Sequence, residues 1–246
     1  MDYNLEENFG YNTSFTAKEL YEFYVKSEGE LNKGTFRWRV YNLKKMGKIS
    51  SVARGIYILE EKLNFNCKVT SDVKKVFNIA YRMFPNEEMC VWSTEWLHTY
   101  MNHQPFNHFI ILEVDKYIID IIFQEIKEKV NNVYLNPKVN EINKYILNEN
   151  AIIIKPIVKE APITKISKIK VPKIEKILVD LFFESDLLTT YQGKEKVNIF
   201  EEFFRKYIIN ITTLYRYAKN RGIKEKIENF LLEDTSIDKK YIREVK

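Results

Sequence analysis

The periodicity of the chain changes once between Gly34 and Leu59, at Gly47, and that change restricts the fold more than any other feature. Before Gly47, Phe36, Val40 and Leu43 fall on one side of a helix that turns about 100° per residue. After it, Lys48–Val52 and Ile56–Leu59 read as two short strands, with Ala53-Arg54-Gly55 at the turn. Upstream, Thr16-Ala-Lys-Glu19 has the spacing of a capping box, in which a hydroxyl accepts from the third amide and a carboxylate reaches back. The pattern predicts a helix from there to about Ser27, with Leu20, Tyr24 and Phe23 on its inner side and Gly29 ending it. Residues 1–13 are polar and read as loosely ordered. A third helix for this unit would have to come from that leader or from the bridge at 28–33.

Charge gives this unit a direction. Lys33, Arg37, Arg39, Lys44, Lys45, Lys48 and Arg54 lie in a tract, 33–59, that contains no acid. The net charge of the whole chain is only +5, so the argument rests on local clustering. A short helix pair followed by a basic hairpin is the outline of a winged helix-turn-helix, whose second helix enters the major groove of DNA. On that outline Arg37, Arg39, Lys44 and Lys45 meet phosphates or guanine edges, and Thr35 and Asn42 make short polar contacts. Arg54, at the hairpin tip, reaches toward the minor groove. Trp38 and Tyr41 point away from the core stripe. Trp38 either stacks or packs on sugar, or it docks against the remainder of the protein. The plain alternative is a solvated basic face.

The 246 residues suffice for one large or two smaller domains, and 45% hydrophobic and 30% charged residues is ordinary globular composition. From Val76 on, strands and helices alternate: strands at 89–93, 108–115, 132–135 and 151–158, and helices at 94–101, 116–129 and 139–147. That is the alternation of a sheet with helices packed on it. Residues 159–173, basic and punctuated by Pro162 and Pro172, read as a long loop or an irregular strand. Helices follow at 173–184, 198–207, 210–220 and 223–233. The expected fold is therefore α+β or α/β in two parts: 1–65, a winged-helix-like DNA reader, and 70–246, an α/β domain with a helical C-terminal part.

Motifs for catalysis are sparse. Cys67 and Cys90 form no CxxC pair. His98, His103 and His108 are spaced five and five, which puts them on no common helical face. Glu113, Asp115 and Asp120 surround the end of an apolar strand and are the best candidates for holding magnesium in a nucleic-acid enzyme. Lys116, beside Asp115, would face the opposite side of a strand. There is no clustered-glycine phosphate loop and no GxSxG. Asp180 sits near the apolar stripe Ile174, Ile177, Leu178 and Leu181, and needs a partner; Arg205, Arg216 and Arg221 are candidates. No cofactor, metal or enzymatic activity is expected. The start MDYNLEENFG lacks the basic n-region and apolar core of a secretory signal, and 118–123 is far too short to span a bilayer, so a cytoplasmic protein is expected.

The order of parts resembles the AbiEi family of antitoxins, regulators of type IV toxin–antitoxin and phage-defence systems. The segment KKMGKISSVARGIYIL is similar to that family's winged-helix finish. MCVWSTEWL, PKIEKILVDLF and LYRYAKNRG are similar to stretches of its C-terminal domain. The leader before Phe15 and the basic stretch 159–173 fall outside the likeness. The resemblance implies an antitoxin that binds double-stranded DNA at its own operator and represses its operon. It further implies that the C-terminal domain counters a nucleotidyltransferase-type toxin without necessarily binding it. By position it carries over Arg37, Arg39, Lys44, Lys45 and Arg54 as DNA contacts, and no catalytic residue. Two other classes stay open: a magnesium-dependent nucleic-acid enzyme, or a protein- or ligand-binding module in which Trp38 and Tyr41 are buried between the two parts.

Overall fold

A computed structural model describes residues 5–10, 13–59, 64–239 and 242. The N-terminal part runs α1 (Leu5–Phe9), β1 (Ser14–Thr16), α2 (Ala17–Glu28), α3 (Lys33–Lys45), β2 (Ile49–Ala53) and β3 (Ile56–Leu59). Its three strands are antiparallel in the order β1-β3-β2. The capping box opens α2: the Glu19 amide donates to Thr16 Oγ1 at 3.1 Å and the Thr16 amide to Glu19 Oε2 at 2.7 Å. Gly29 closes it at φ +89°, a left-handed conformation that glycine adopts without penalty.

The leader departs from its sequence reading. Leu5–Phe9 is helical and Leu5 is buried. Phe9 stacks on Phe15 with ring centroids 4.2 Å apart and meets Phe23 edge-on at 5.5 Å. Two apolar side chains in an otherwise polar segment suffice to fasten it. The remainder of the expected loose leader, 1–4 and 11–12, lies outside the described residues.

The C-terminal part begins with α4 (Ser71–Met83), five residues earlier than the alternation suggested, because the Thr70 hydroxyl caps it. There follow β4 (Met89–Ser93), a 3₁₀ turn at Thr94–Tyr100, β5 (Phe109–Val114), α5 (Ile119–Lys129), β6 (Val133–Leu135), α6 (Val139–Lys144) and β7 (Ala151–Pro156). The 94–101 segment, expected as an α-helix, is 3₁₀, with Ser93 accepting from the Glu95 amide at 3.2 Å. The sheet order is β4-β5-β7-β6; β4 is antiparallel to β5, and β5, β7 and β6 are mutually parallel. The basic stretch 159–173, expected as a long loop or an irregular strand, is irregular over 159–162 and regular beyond it. It holds a hairpin, β8 (Ile163–Ile166) and β9 (Ile169–Pro172), anchored by the buried side chains of Ile169 and Val171. There follow α7 (Ile174–Phe183), a 3₁₀ turn at Thr189–Tyr191, α8 (Lys194–Lys206), α9 (Ile211–Asn220) and α10 (Lys224–Glu233). The whole is a mixed α and β protein with small sheets. Among the described residues, no helix is long and apolar enough to cross a membrane.

Two apolar cores organise the molecule, and β2–β3 serves both. Successive strand residues face opposite sides. Tyr57 and Leu59 join the smaller core with Leu20, Tyr24 and Val40, whereas Ile56 and Ile58 join the larger one. A register shift between Ser51 and Ala53 turns Val52 and Ala53 toward the larger core as well, where β2 meets α9. The boundary expected at 65–70 is therefore bridged by the hairpin that precedes it.

Candidate nucleic-acid interface

Helix α3 starts at Asn32, whose side chain accepts from the Gly34 amide at 2.6 Å. Its inner side carries Val40, with Phe36 and Leu43 half-buried, as the period predicts. The outer side is exposed. Trp38 is 65% accessible, Tyr41 62% and Met46, just past the helix, 69%. Thr35, Arg37, Lys44 and Lys45 are also exposed, and Asn42 is partly so. The structure thus brings Arg37, Trp38, Tyr41 and Lys45 onto one open face. Trp38 and Tyr41 are not buried between the two parts of the chain.

Arg39 is placed differently from its neighbours. Its guanidinium grips Glu28 at the end of α2 with two bonds, Nη1–Oε1 at 2.5 Å and Nη2–Oε2 at 2.9 Å. It also lies over the Tyr24 ring, 4.9 Å from the centroid. Only about a quarter of either side chain in this pair is accessible. Arg39 therefore ties α3 to α2 and fixes the angle at which the outer face is presented. Sequence reasoning grouped it with the free cations because Glu28 lies on another helix, and no local spacing links the two. Lys44 is exposed, but its ammonium hovers 5.0 Å from the centre of the Tyr57 ring, the kind of contact a lysine stem makes when it runs along an apolar surface. Burial pushes the Tyr57 phenol upward from its ordinary value.

Arg54 occupies an exposed, two-residue hairpin turn with Gly55, whose φ of +76° calls for glycine. The tip barely projects. Gly55 accepts from the Ala17 amide at 2.7 Å, so the turn lies against the first residue of α2. Strand β2 separates it from the end of α3 by roughly 15 Å at about 3.3 Å per residue. Arg54 is thus a satellite of the α3 face, about four base-pair steps away along a duplex.

The acidic trio does not converge. Glu113 is 5% exposed and points into the protein, Asp115 caps the Tyr117 amide at 2.8 Å, and Asp120 is exposed on α5. Glu113 instead joins a buried ionic cluster. Lys176, with no exposed surface, lies 2.5 Å from Glu113 Oε2, without the angle of a hydrogen bond, and bonds Asp180. Tyr217 donates to Asp180 Oδ1 at 3.0 Å, and Arg221 Nη2 stands 3.6 Å from the same oxygen. Burial alone would lower the affinity of Lys176 for its proton. The carboxylates of Asp180 and Glu113 outweigh it and hold the ammonium well above the ordinary lysine range. Burial pushes Glu113 up, against the pull of Lys176. Of the three arginines considered for Asp180, Arg221 is the one that reaches it; Arg205 pairs with Glu202 at 2.6 Å and Arg216 is exposed. Lys176 was missed, although Lys176-x-x-x-Asp180 is the spacing of a helical ion pair.

The histidines also separate. His98 Nε2 lies 2.9 Å from the Tyr191 hydroxyl, which donates to Thr94 Oγ1 at 2.8 Å. The His108 ring is 6.5 Å from that of His98. His103 turns outward to Glu195 at 2.9 Å. Burial, with help from His108, lowers His98 below the usual imidazole value. Among the described residues, no group of three or more His, Cys, Asp or Glu is arranged to hold a metal ion.

Residues 35–237 match a family described as being of unknown function, DUF6577. No curated protein matches the chain.

Proposed function

We propose that this chain, which belongs to the DUF6577 family, is a DNA-binding regulator that meets double-stranded DNA with the outer face of α3. One observation carries the reading: an exposed helical face with Arg37, Trp38, Tyr41 and Lys45 together, inside a tract without a single acid. The order of elements supports it. Helix, strand, two helices and two strands, with the first strand paired to the last, follows the order of elements of a winged helix, and on this reading α1 is its third helix. Arg37, Lys44 and Lys45 neutralise phosphates, Thr35 and Asn42 offer hydrogen bonds from one flank, and Arg54 contacts backbone further along. Trp38 and Tyr41 present amphipathic rings to sugars and thymine methyl groups. Arg39 acts as a positioning residue for the face.

The likeness to AbiEi antitoxins extends the proposal: the DNA is the chain's own operator, binding represses its operon, and the C-terminal part counters a nucleotidyltransferase-type toxin. The test is an anisotropy titration of the full chain against a duplex from its own upstream region at two salt concentrations. Four phosphate contacts give a slope of log K against log salt of about −3 to −4. Arg37→Ala and Lys45→Ala each weaken binding and flatten the slope by about one unit. A slope near zero, or variants that bind like the parent, sinks the reading. Growth of a strain that expresses a nucleotidyltransferase-type toxin, with and without this chain, tests the antitoxin role separately.

A further inference from the structure

An open cleft of ≈ 450 Å³ lies beyond the ends of β6 and β7, between Lys138 on one lip and Phe183 and Leu187 on the other. Its size suits a small molecule, for which pockets run from about 300 to 1,000 Å³. Its position, outside the carboxyl ends of parallel strands, is where open α/β sheets take their ligands.

The cleft holds an unusual carboxylate. Glu184, the residue that ends α7, is bonded by Lys155 of β7 and by Arg221 Nη2 at 2.6 Å. Arg221 is nine-tenths buried, stacks on the Phe183 ring at 3.8 Å from its centroid, and leaves Nε without a hydrogen-bond partner. The Lys138 side chain makes no ion pair among the described residues, and its backbone amide is the atom that Glu141 engages. Asp186 is the opposing charge on the rim. Two cations thus converge on one acid at the C-cap of α7, and Arg221 Nη2 also stands 3.6 Å from Asp180.

We propose that the cleft is a site for a small organic anion, whose carboxylate or phosphate head takes the place of Glu184 between Lys155 and Arg221. The body of the ligand lies flat against Phe183 and Leu187, and Lys138 closes on the head from the opposite lip. Glu184 is an internal stand-in that the ligand must displace. The proposal does not rest on the reading of the α3 face, and the experiment contains no DNA, so failure of one reading leaves the other standing.

The test is calorimetry on the full chain at fixed ionic strength, with phenyl phosphate and benzoate as probes and benzyl alcohol as the neutral control. The parent binds at least one anion and not the alcohol; the tighter anion identifies the head group. Glu184→Gln removes the competing charge and tightens anion binding about tenfold, the equivalent of one charge-assisted hydrogen bond. It also gains more in melting temperature from the anion than the parent does. Lys155→Met weakens binding about tenfold. Lys138→Ala, at an exposed position that cannot unfold the chain, weakens it by a smaller factor. No heat from either anion with both the parent and Glu184→Gln overturns the proposal. So does binding of benzyl alcohol as tight as that of the anions, or unchanged affinity in both lysine variants.

Discussion

Lys176→Met puts the buried ionic cluster to a quantitative test. Methionine nearly conserves the volume of lysine, so packing loss is small. What changes is electrostatic: Glu113 and Asp180, 5% and 4% exposed, lose the ammonium that both face, and Arg221 at 3.6 Å from Asp180 is the cation left nearby. Breaking a buried ion pair by removing one partner costs about 3–5 kcal/mol, most of it from the charge left behind. At about 2–4 °C per kcal/mol for a chain of this size, the melting temperature falls by roughly 6–20 °C. Adding Glu113→Gln and Asp180→Asn removes the stranded charges and recovers more than half of the loss. The pH dependence has a definite sign. A carboxylate whose folded-state pKa exceeds its unfolded value contributes full stability only below the unfolded pKa and loses it as pH rises through the folded one. Burial already raises Glu113, and loss of Lys176 raises it further, so the gap between variant and parent narrows as pH falls. Urea unfolding followed by far-ultraviolet circular dichroism reads all of this. A loss below about 1 kcal/mol, or a triple variant no more stable than the single one, refutes the argument.

Arg39→Ala lowers stability by about 1–2 kcal/mol, because the bidentate pair with Glu28 and the contact with Tyr24 are both lost; Arg37→Ala leaves the thermal melt unchanged, and equal melts for the two variants would show that the Arg39–Glu28 pair adds nothing to stability. His98, held below the ordinary 6.5 by burial, takes up its proton later in the folded state than in the unfolded chain. Stability therefore falls as pH drops below about 6.5, and His98→Gln flattens that limb of a melting-temperature profile. Gly55→Ala costs about 1 kcal/mol through backbone strain at φ +76°, since the nearest atom to the added methyl, Ala17 Cβ at 3.9 Å, leaves room for it; a melt identical to the parent's would show that the turn relaxes.

What the sequence disclosed was what local chemistry encodes. The Thr16–Glu19 box and the Phe36, Val40 and Leu43 stripe each lie within one or two turns of chain and are found where their spacing puts them, and the turn expected at Ala53-Arg54-Gly55 falls at Arg54-Gly55, with Ala53 the last residue of β2. What stayed hidden depends on distant partners. A five-residue helix is unstable in water on its own, so α1 exists through Leu5 burial and the Phe9–Phe15 stack, which no periodicity announces. Strand β1 is three residues long and is held by pairing with β3, some 40 residues downstream. Glu175 and Lys176 are adjacent charged residues, yet both are buried, with Glu175 accepting from the Asn210 amide at 2.8 Å. The candidate site splits the same way. That Trp38 and Tyr41 point away from the α3 core followed from helical angle, but their exposure did not, and the engagement of Arg39 with Glu28 required knowing how α2 and α3 cross.

The shared hairpin determines how the α3 face is carried. Detaching the N-terminal part from the rest would expose Val52, Ile56 and Ile58, each worth about 1.5–3 kcal/mol when buried, a penalty of roughly 5–9 kcal/mol. That is comparable with the whole stability of an ordinary domain, so the two parts do not swing independently at equilibrium. The opposite side of the same strands holds Tyr57 and Leu59 in the smaller core that supports α3. Helix α9 therefore packs on one side of β2 and the α3 core on the other. Asp180 and Arg221 link α9 to α7 through Tyr217 and Glu184, at the edge of the cleft. The face and the cleft are thus connected by packed apolar contacts through β2 and α9 at one end and by the ionic contacts of Asp180, Arg221 and Glu184 at the other.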